Sequence, residues 1–598
     1  MQPYHAPLRD MRFVLYELLG ADRQLSALPG WEEVTADLID PILDEAAKFC
    51  REVLFPLNRS GDEEGCRFEN GVVRTPKGFK AAYDLFRQGG WTGLMAAGAD
   101  GGQELPRLLG QMVSEMICSA NLAFGIYPGL SQGAYAALAV HGDEALKRAY
   151  LPKLASGDWT GTMCLTEPQC GTDLGLIRTR AQPQEDGSAR ITGTKIFISA
   201  GEHDLADNIL HLVLARLPDA PKGIKGISLF LVPKFVPGPD GRPGRPNGVA
   251  CSAIEHKMGI NASATCVIHF DDATGYLVGE PNKGMRAMFR MMNEARLAVG
   301  IQGLGLAEAA YQGAVAYARE RQQGRALGKP SRPDLPADPI LVHPDVRRML
   351  LTIRAKTEGA RALAAWVALE MDKAARGGDR ARREETEDLA ALLTPIIKAS
   401  FTDMGFEAAN LGVQVMGGHG YIREHGMEQL VRDARITLLY EGTNGVQALD
   451  LIGRKLTAHG GRFLRRFFHP LDAYLAAKAG DPALAEFVQP LAKAFGRLQQ
   501  ASAAIALQGL KNPSDAAAGA ADYLRLFGLV AMGFQWARMA ETALAALAEG
   551  QGGEADFYQA KLATARFFMA RLLPECGALL ATVAEGGKTL ADFPDRAF

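Results

Sequence analysis

Residues 432–456 read RDARITLLYEGTNGVQALDLIGRKL, and the other motifs of the chain are best understood from this stretch. An apolar run at residues 436–440 ends at the carboxylate of Glu441, and the letters GTNG follow at once. Helix propensity is poor in such a tetrapeptide, so a turn is predicted there, with a new helix beginning at Gly445 or Val446.

Glu441 has two possible roles at this break. A carboxylate behind an apolar run is expected at the wall of an apolar cavity, where the loss of hydration raises its pKa and makes it a competent base. The alternative is an acidic residue near a helix N-terminus that only stabilises the helix dipole. The stretch alone leaves both roles open.

Length and composition bound the class of protein. The chain has 598 residues, 47% of them hydrophobic and 22% charged, and a net charge of −3. Domains average roughly 150 residues, so several domains are expected. The near-neutral charge predicts a soluble globular protein without a field that attracts nucleic acid. The eight cysteines lack a CxxC pair or a zinc-binding histidine spacing, so we expect a reducing compartment and predict no metal site.

The N-terminal segment does not have the pattern of a signal peptide. Arg9, Asp10, Arg12 and Glu17 interrupt it, and no small-residue cleavage site follows an apolar core. No run of 18 apolar residues lacks a charge, so no transmembrane segment is predicted. We therefore expect a cytoplasmic location.

Periodicity along the chain predicts helices, then strands, then helices. Alternating or β-branched runs between Gly, Pro and Asp clusters predict strands at residues 160–165, 189–199, 209–215, 226–232 and 265–270. Helical spacing predicts long helices at residues 284–321, 343–376, 385–416, 427–440 and 446–458. Shorter helices are predicted before the strands, including residues 107–119. The Pro-rich residues 233–246 are predicted to be a surface loop.

This order predicts a mostly α protein with a small central antiparallel β domain and excludes a doubly wound sheet. The predicted domains are an N-terminal helical domain at residues 1–159, the β domain at 160–280, a helical bundle with Glu441 at 281–460, and an additional helical domain at 461–598.

Two patterns that could suggest nucleotide or nucleic-acid binding have simpler explanations. A GxxGxG pattern at Gly300, Gly303 and Gly305 lies inside a predicted helix with no strand before it, so we predict close helix packing. In the C-terminal segment only residues 462–466 hold a basic cluster, and the charges there otherwise nearly cancel.

Residues 163–173, MCLTEPQCGTD, pass from the end of a predicted strand into a turn. Their backbone amides and the Thr166 and Thr172 hydroxyls are suitable donors around a flavin or a pyrophosphate. The eleven residues resemble the flavin-binding signature of the acyl-CoA dehydrogenase family. Other motifs of that family follow in order between residues 160 and 456: KIFIS at 195–199, Arg296, Arg321, QVMGGHG at 414–420 and YEGT at 440–443.

The resemblance implies FAD as the cofactor and assigns residues to it. Phe197 takes the place of the family's tryptophan against the isoalloxazine and Ser199 that of a threonine, while Arg321 reaches the diphosphate. The Gly417–Gly418 turn contacts the adenosine half of FAD in a neighbouring subunit. The cofactor positions are Met163, Leu165, Thr166, Gly171, Thr172, Phe197, Ser199, Arg321, Gln414, Gly417, Gly418, Thr443 and Asn444, and the substrate positions are Thr172, Arg296 and Gly442.

The chain departs from the family pattern at several positions. Gln169 and Cys170 replace small residues in the flavin loop, residues 322–323 are Gln-Gln where Lys-Thr is usual, and Pro344 stands where many members have a cofactor-contacting glutamine. The leader at residues 6–19 (APLRDMRFVLYELL), the Pro-rich insertion before residue 342 and the C-terminal domain resemble the long branch that acts on 3-(methylthio)propanoyl-CoA. That branch also contains members acting on ordinary fatty acyl-CoAs.

The implied fold is a helical domain, a barrel-like sheet and a four-helix bundle, with an added C-terminal helical domain. The implied reaction is α,β-dehydrogenation of a saturated acyl-CoA, either 3-(methylthio)propanoyl-CoA or a medium- or long-chain fatty acyl-CoA, with Glu441 as the catalytic base. Electron-transferring flavoprotein is the implied acceptor, and a homodimer or homotetramer is expected. No nucleic-acid partner is predicted.

Three other functions share this scaffold. An acyl-CoA oxidase would reduce oxygen and release hydrogen peroxide. A flavin-dependent monooxygenase of this fold usually lacks the glutamate of the YEGT motif. A DNA-binding flavoprotein of the alkylation-response type would need a basic patch in its C-terminal domain, and the composition shows none.

Overall fold

The computed structural model describes residues 3–550 and 554–598, which form two compact units. The sheet unit comprises residues 48–106 and 120–298. The helical unit comprises the described parts of residues 1–47, 107–119 and 299–598. The division into four domains stays a prediction.

A seven-stranded sheet forms the centre of the sheet unit. Its main path runs Trp159–Cys164, Asn208–Ala215, Ser228–Pro233, Thr265–Val278, Ala189–Ser199, Arg180–Pro183, and Val249–Ile254 also pairs with the fourth of these strands. The long fourth strand pairs with Ser228–Pro233 through its last residues and with Ala189–Ser199 through the rest. Buried leucines of the Asn208–Ala215 and Ser228–Pro233 strands contribute to one core, and Val213, Phe230 and Val232 contribute to the core on the other face.

The predicted strands are all present, and one pairing departs from the antiparallel prediction. Trp159–Cys164 runs parallel to Asn208–Ala215 because the chain between them passes through other strands of the sheet. A parallel neighbour requires such a long crossover, and sequence alternation does not reveal it. The predicted surface loop at 233–246 contains a small hairpin, Phe235–Pro237 with Pro243–Pro246.

Helices and one further hairpin complete the sheet unit. The hairpin pairs Arg67–Glu69 with Val72–Arg74. The helices are Phe55–Glu64, Phe79–Gln88, the part of Arg107–His141 after Ser119, and Glu144–Ser156.

Long helices form the first part of the helical unit. Its N-terminal helices are Leu8–Arg12, Ala21–Ser26 and most of Ala36–Phe49. The bundle helices are Gly284–Glu320 from residue 299 onward, Pro344–Arg376, Arg380–Met416, Met427–Arg435 and Asn444–Asp450.

The C-terminal segment adds further helices to the same compact unit. They are Arg462–Lys478, Ala485–Lys511, Pro513–Ala518, Ala520–Ala548, Ala555–Phe567, Cys576–Glu585 and Lys588–Ala591. Fully buried Trp536 donates its indole N–H to the carbonyl oxygen of Ala355 over 2.8 Å. The extra C-terminal helices therefore pack on the Pro344–Arg376 helix of the bundle.

The glycines of the GxxGxG pattern lie at close helix contacts, as predicted. A Cβ at Gly303 would lie 2.3 Å from the backbone oxygen of Phe401, and one at Gly300 would lie 2.8 Å from the Ile397 side chain. Gly305 faces Cys118, which a Cβ would approach to 2.8 Å. The pattern therefore lets the Gly284–Glu320 helix approach its neighbours closely.

The helix Arg107–His141 is interrupted at Asn121, whose backbone is extended (φ −161°, ψ 90°). The Asn121 side chain accepts a hydrogen bond from the backbone N–H of Phe124 over 3.0 Å and donates to the Leu54 carbonyl over 3.2 Å. Asn121 thus acts as the N-cap of a second helix. The helix predicted at residues 107–119 accordingly ends before this break.

Two helical stretches among the described residues are long and apolar enough to span a membrane by length and composition alone. They are Arg380–Tyr421 and Ala555–Glu585, and their most apolar windows are 72% and 33% buried within the fold. A core helix of a globular domain meets the same criterion, so these features are weak support for a span.

Candidate active site

The break predicted at Glu441 is present. The Met427–Arg435 helix tightens into a 3-10 turn at Ile436–Leu438, and the backbone then turns left-handed at Glu441 (φ +56°) and Gly442 (φ +86°). The next helix begins at Asn444, one residue earlier than predicted, because the Thr443 hydroxyl caps it by accepting from the backbone N–H of Val446 over 3.2 Å.

Gln447 holds the turn from the next helix. This fully buried residue donates its side-chain N–H to the carbonyl oxygen of Glu441 over 3.1 Å and to that of Gly442 over 3.4 Å. A Cβ at Gly442 would lie 2.6 Å from the Gln447 side-chain nitrogen. The turn thus requires glycine at 442 for both its space and its left-handed φ. The Glu441 side chain is neither fully buried nor fully exposed.

Asn444 extends from the same turn to the Arg380–Met416 helix. Its amide nitrogen donates to Asp403 over 2.7 Å and to the Thr402 hydroxyl over 3.0 Å, and its amide oxygen accepts from the Lys398 ammonium over 2.8 Å. These contacts lie within the helical unit. A role of Asn444 in cofactor binding stays a prediction, as does that of Thr443.

In the sheet unit, the carboxylate of Glu167 organises the loop at residues 163–173. It is 3% exposed and accepts hydrogen bonds from the Lys195 ammonium over 2.8 Å, from the hydroxyl and backbone N–H of Thr179, and from the backbone N–H of Arg178. Gln169, which departs from the family pattern, adds a bond of 2.6 Å. Burial opposes ionisation of Glu167, but Lys195 and these donors together lower its pKa to about 2.

Lys195 links this loop to the strand that carries Phe197 and Ser199. Its buried ammonium also donates to the carbonyl oxygen of Leu165 over 2.9 Å. Beyond it, Phe197 has a left-handed backbone (φ +58°), at an irregularity of the pairing with the Thr265–Val278 strand. The Phe197 ring is 59% exposed and available to a flat ligand.

The other predicted residues of the sheet unit lie on or near this loop, apart from Arg296. Met163, Leu165 and Thr166 are half-buried, and Gly171 and Thr172 are exposed. Arg296 is 6% exposed, and its guanidinium lies 5.9 Å from the centre of the Phe289 ring.

Arg321, Gly417 and Gly418 come together in the helical unit, although they are far apart in sequence. They line a cavity of about 460 Å³ with Tyr317 and His419, whose hydroxyl and ring nitrogen are hydrogen-bonded over 2.8 Å. A Cβ at either glycine would meet nothing within 4 Å, so the cavity side of the turn is open. Gln414 is exposed, and its carbonyl oxygen accepts from the backbone N–H of Gly417.

Sequence reasoning did not single out Glu167, Lys195 or Gln447 as organising residues. One signal was present in the sequence, since Lys195 occupies an inward position of the alternating run ARITGTKIFIS. A lysine at such a position requires a buried acceptor, and Glu167 is that acceptor. Gln447 gave no signal, because its role depends on carbonyl groups of the turn.

Four family models match the chain in order. The matches are the acyl-CoA dehydrogenase N-terminal domain at residues 40–158, the middle domain at 162–273, the C-terminal domain at 282–457, and a domain described as acetyl-CoA dehydrogenase C-terminal like at 467–594. The chain belongs to the acyl-CoA dehydrogenase family and is an oxidoreductase with FAD as its cofactor.

Three known proteins are similar to the chain over nearly its whole length. It is 45% identical to the 3-methylmercaptopropionyl-CoA dehydrogenase of Ruegeria pomeroyi, over 98% of this chain and 99% of that protein. It is 34% identical to a butyryl-CoA dehydrogenase of Syntrophomonas wolfei, over 100% of this chain and 99% of that protein. A solved acyl-CoA dehydrogenase complexed with FAD from Bacillus anthracis has the same fold, with a TM-score of 0.75 at 21% identity over 96% of this chain and 91% of that one. The predicted fold class, including the added C-terminal domain, is confirmed.

Proposed function

We propose that the chain dehydrogenates 3-(methylthio)propanoyl-CoA between its α and β carbons, with Glu441 as the base. The observation that carries the catalytic assignment is the turn at residues 441–443, where a half-buried carboxylate has a left-handed backbone held by Gln447. The thioether substrate is supported by the 45% identity to the Ruegeria enzyme over nearly the whole chain. A linear fatty acyl-CoA is the second candidate, supported by the full-length similarity to a butyryl-CoA dehydrogenase.

Glu441 removes the α-proton of the thioester as the β-carbon loses a hydride. The carboxylate gains the proton, and the acyl chain becomes a trans-2-enoyl thioester. FAD, when bound, supplies the acceptor for that hydride. The backbone N–H of Glu441 is assigned to the thioester oxygen, where one donor of this kind contributes about 3–4 kcal/mol to stabilising the transition state. Gly442 and Arg296 are assigned to the substrate.

Each unit, taken by itself, has features that suit a part of FAD. In the sheet unit, the exposed Phe197 ring offers a stacking surface, and Ser199, Thr166 and Thr172 offer hydroxyl donors next to the ordered loop. In the helical unit, an open glycine turn and a guanidinium line one cavity, which suits a phosphate-bearing ligand. We assign Phe197 to the flavin ring and Arg321 to the diphosphate.

Electron-transferring flavoprotein as acceptor, a homo-oligomeric state, a role in β-oxidation and a cytoplasmic location are further parts of the proposal. They are supported by the family resemblance alone. The nucleic-acid alternative is disfavoured because two of the three arginines in the basic cluster at residues 462–466 are paired with carboxylates. Arg462 pairs with Asp388 over 2.7 Å and Arg466 with Glu385 over 2.8 Å.

A substrate panel tests the proposal. Purified enzyme with FAD is assayed with an artificial electron acceptor against methylthiopropanoyl-CoA and saturated acyl-CoAs from propanoyl to palmitoyl. The proposal expects the highest kcat/KM with the thioether and no hydrogen peroxide without an acceptor. Higher values with a linear chain would support the second candidate, peroxide release would indicate an oxidase, and no turnover with any thioester would refute the proposal.

A further inference from the structure

We propose that Asn444 and Lys398 are positioning residues for Glu441, fixing the catalytic turn to the Arg380–Met416 helix. This inference rests on the proposed function, since it concerns how the base of that reaction is held. Neither residue is proposed to touch the substrate. Both act through the backbone of the turn.

Asn444 is hydrogen-bonded at both ends of its side-chain amide. Its two amide protons have acceptors in Asp403 at 2.7 Å, Thr402 at 3.0 Å and the carbonyl of Ala399 at 3.3 Å. Its oxygen accepts from Lys398 at 2.8 Å and lies 3.3 Å from the Thr402 hydroxyl. The amide protons are therefore directed at acceptors on the neighbouring helix.

Two partners of Asn444 lie on one buried face of the Arg380–Met416 helix. Lys398 and Thr402 are fully buried and one helical turn apart, so they face the same way from a helix of 37 residues. The Thr402 hydroxyl is anchored further by donating to the Lys398 carbonyl over 2.8 Å. A buried ammonium needs acceptors, and the Asn444 oxygen supplies one through a charge-assisted bond.

The position of Asn444 is transmitted to Glu441 over a short path. Asn444 is the first residue of the helix Asn444–Asp450, and Gln447 in that helix binds the carbonyl of Glu441. Displacement of the helix start would therefore move the Glu441 backbone. A carboxylate that is misplaced by about 1 Å can lose about 100-fold in rate.

The alternative, implied by the family resemblance, is that Asn444 binds FAD directly. The two roles predict that substitution of Asn444 impairs different measured quantities. A positioning residue changes proton abstraction and leaves FAD affinity unchanged, whereas a cofactor ligand lowers FAD affinity.

The test uses the full-length enzyme with FAD and the variants Asn444→Ala, Lys398→Met and their double mutant. FAD affinity, kcat, KM, the pH profile of kcat and the isotope effect with α-deuterated substrate are measured. We expect unchanged FAD affinity and KM, a kcat about 10- to 100-fold lower in Asn444→Ala, a shifted pH profile and a larger isotope effect. The losses should be non-additive in the double mutant, because both changes remove the same contact.

Two further variants keep the test decisive. Asn410→Ala, on the same helix, removes an asparagine whose side-chain amide donates to the Phe406 carbonyl of its own helix, and it should leave kcat unchanged. Thr402→Val keeps the side-chain shape and should show a smaller loss of kcat, which serves as the test if Asn444→Ala does not fold.

Wild-type kcat, pH profile and isotope effect in folded Asn444→Ala or Thr402→Val would overturn the inference. A loss of rate that follows loss of FAD alone would overturn it as well. If Glu441→Gln also kept activity, the proposed function would fail as well, so the two failures are distinguishable.

Discussion

Two residues assigned to chemistry, Glu441 and Phe197, have left-handed backbones that L-residues seldom adopt. Such a conformation costs about 1–3 kcal/mol and persists only where the surroundings hold it. Gln447 supplies part of that support at Glu441. The GTNG letters at residues 442–445 predicted the break at Glu441. The hydrogen bonds from Gln447 could not be predicted, because they depend on distances within the folded turn.

We predict that substitution of Glu167 lowers both the stability of the fold and the affinity for FAD. Glu167→Gln leaves the buried Lys195 ammonium without its carboxylate, and breaking a buried ion pair costs about 3–5 kcal/mol. Thermal unfolding and FAD titration measure the effect, and both should be impaired. Glu185→Gln, at an exposed position of the same unit, is the control and should match the wild type. Normal FAD affinity in Glu167→Gln would show that the carboxylate does not order the loop.

Among helices and strands, the sequence predicted those whose pattern of apolar residues lies within the element itself. The strand Ala189–Ser199 was predicted with the observed ends because alternation fixes both face and length. A helical domain was predicted from residue 461 onward, but its first helix, Arg462–Lys478, was given no bounds of its own. Its arginines bind carboxylates of the Arg380–Met416 helix, and Pro470 lies inside it. Its stability therefore depends on packing that a local pattern does not contain.

Helix packing gives a prediction at this scale. Gly303→Ala should destabilise the helical unit by about 1–3 kcal/mol, because its Cβ would overlap the backbone at Phe401 and one helix must move. Urea unfolding measures the change. Gly496→Ala, also in a helix but with nothing within 4 Å of its Cβ, should instead stabilise by up to about 1 kcal/mol. Equal effects of the two changes would contradict the packing account.

At the scale of the whole molecule, a buried charge cluster joins the leader, the bundle and the C-terminal helices of the helical unit. The cluster contains four carboxylates, those of Asp10, Glu115, Glu308 and Glu358. They are paired with three cations, those of Arg354, Arg361 and Lys561. Arg361 bonds to Glu115 over 2.5 Å and to Glu308 over 2.7 Å, and Lys561 bonds to Glu358 over 2.8 Å. Segments more than 500 residues apart in sequence thus depend on each other. No local pattern predicts this cluster.

Lys561→Met tests that dependence. It leaves the carboxylates of Asp10 and Glu358 without a shared cation, so the free energy of unfolding should fall by about 3–5 kcal/mol. Lys478→Met removes a half-exposed pair with Glu541 and should cost at most about 1 kcal/mol. A small effect of Lys561→Met in urea unfolding would mean that the cluster does not bind the leader to the C-terminal helices.

The excess carboxylate in this cluster predicts a pH dependence. Burial outweighs the attraction of Arg361 and raises the pKa of Glu115 to about 7. The folded chain then holds a proton that the unfolded chain releases near pH 4.5, so stability declines as pH rises from about 4.5 to 7. The stability difference between wild type and Glu115→Gln should change by up to about 1.4 kcal/mol per pH unit in that window. A difference that does not vary with pH would contradict the assignment.

Single-turnover reduction of the flavin shows whether Glu441 is the base of the dehydrogenation. Glu441→Gln, loaded with FAD, is mixed anaerobically with methylthiopropanoyl-CoA and with the linear acyl-CoAs while the flavin absorbance is followed. We expect normal FAD content and thioester binding, with bleaching about 100- to 10,000-fold slower than in the wild type, because positioned proton transfer contributes roughly 10²–10⁴-fold. Bleaching at the wild-type rate would contradict this role of Glu441.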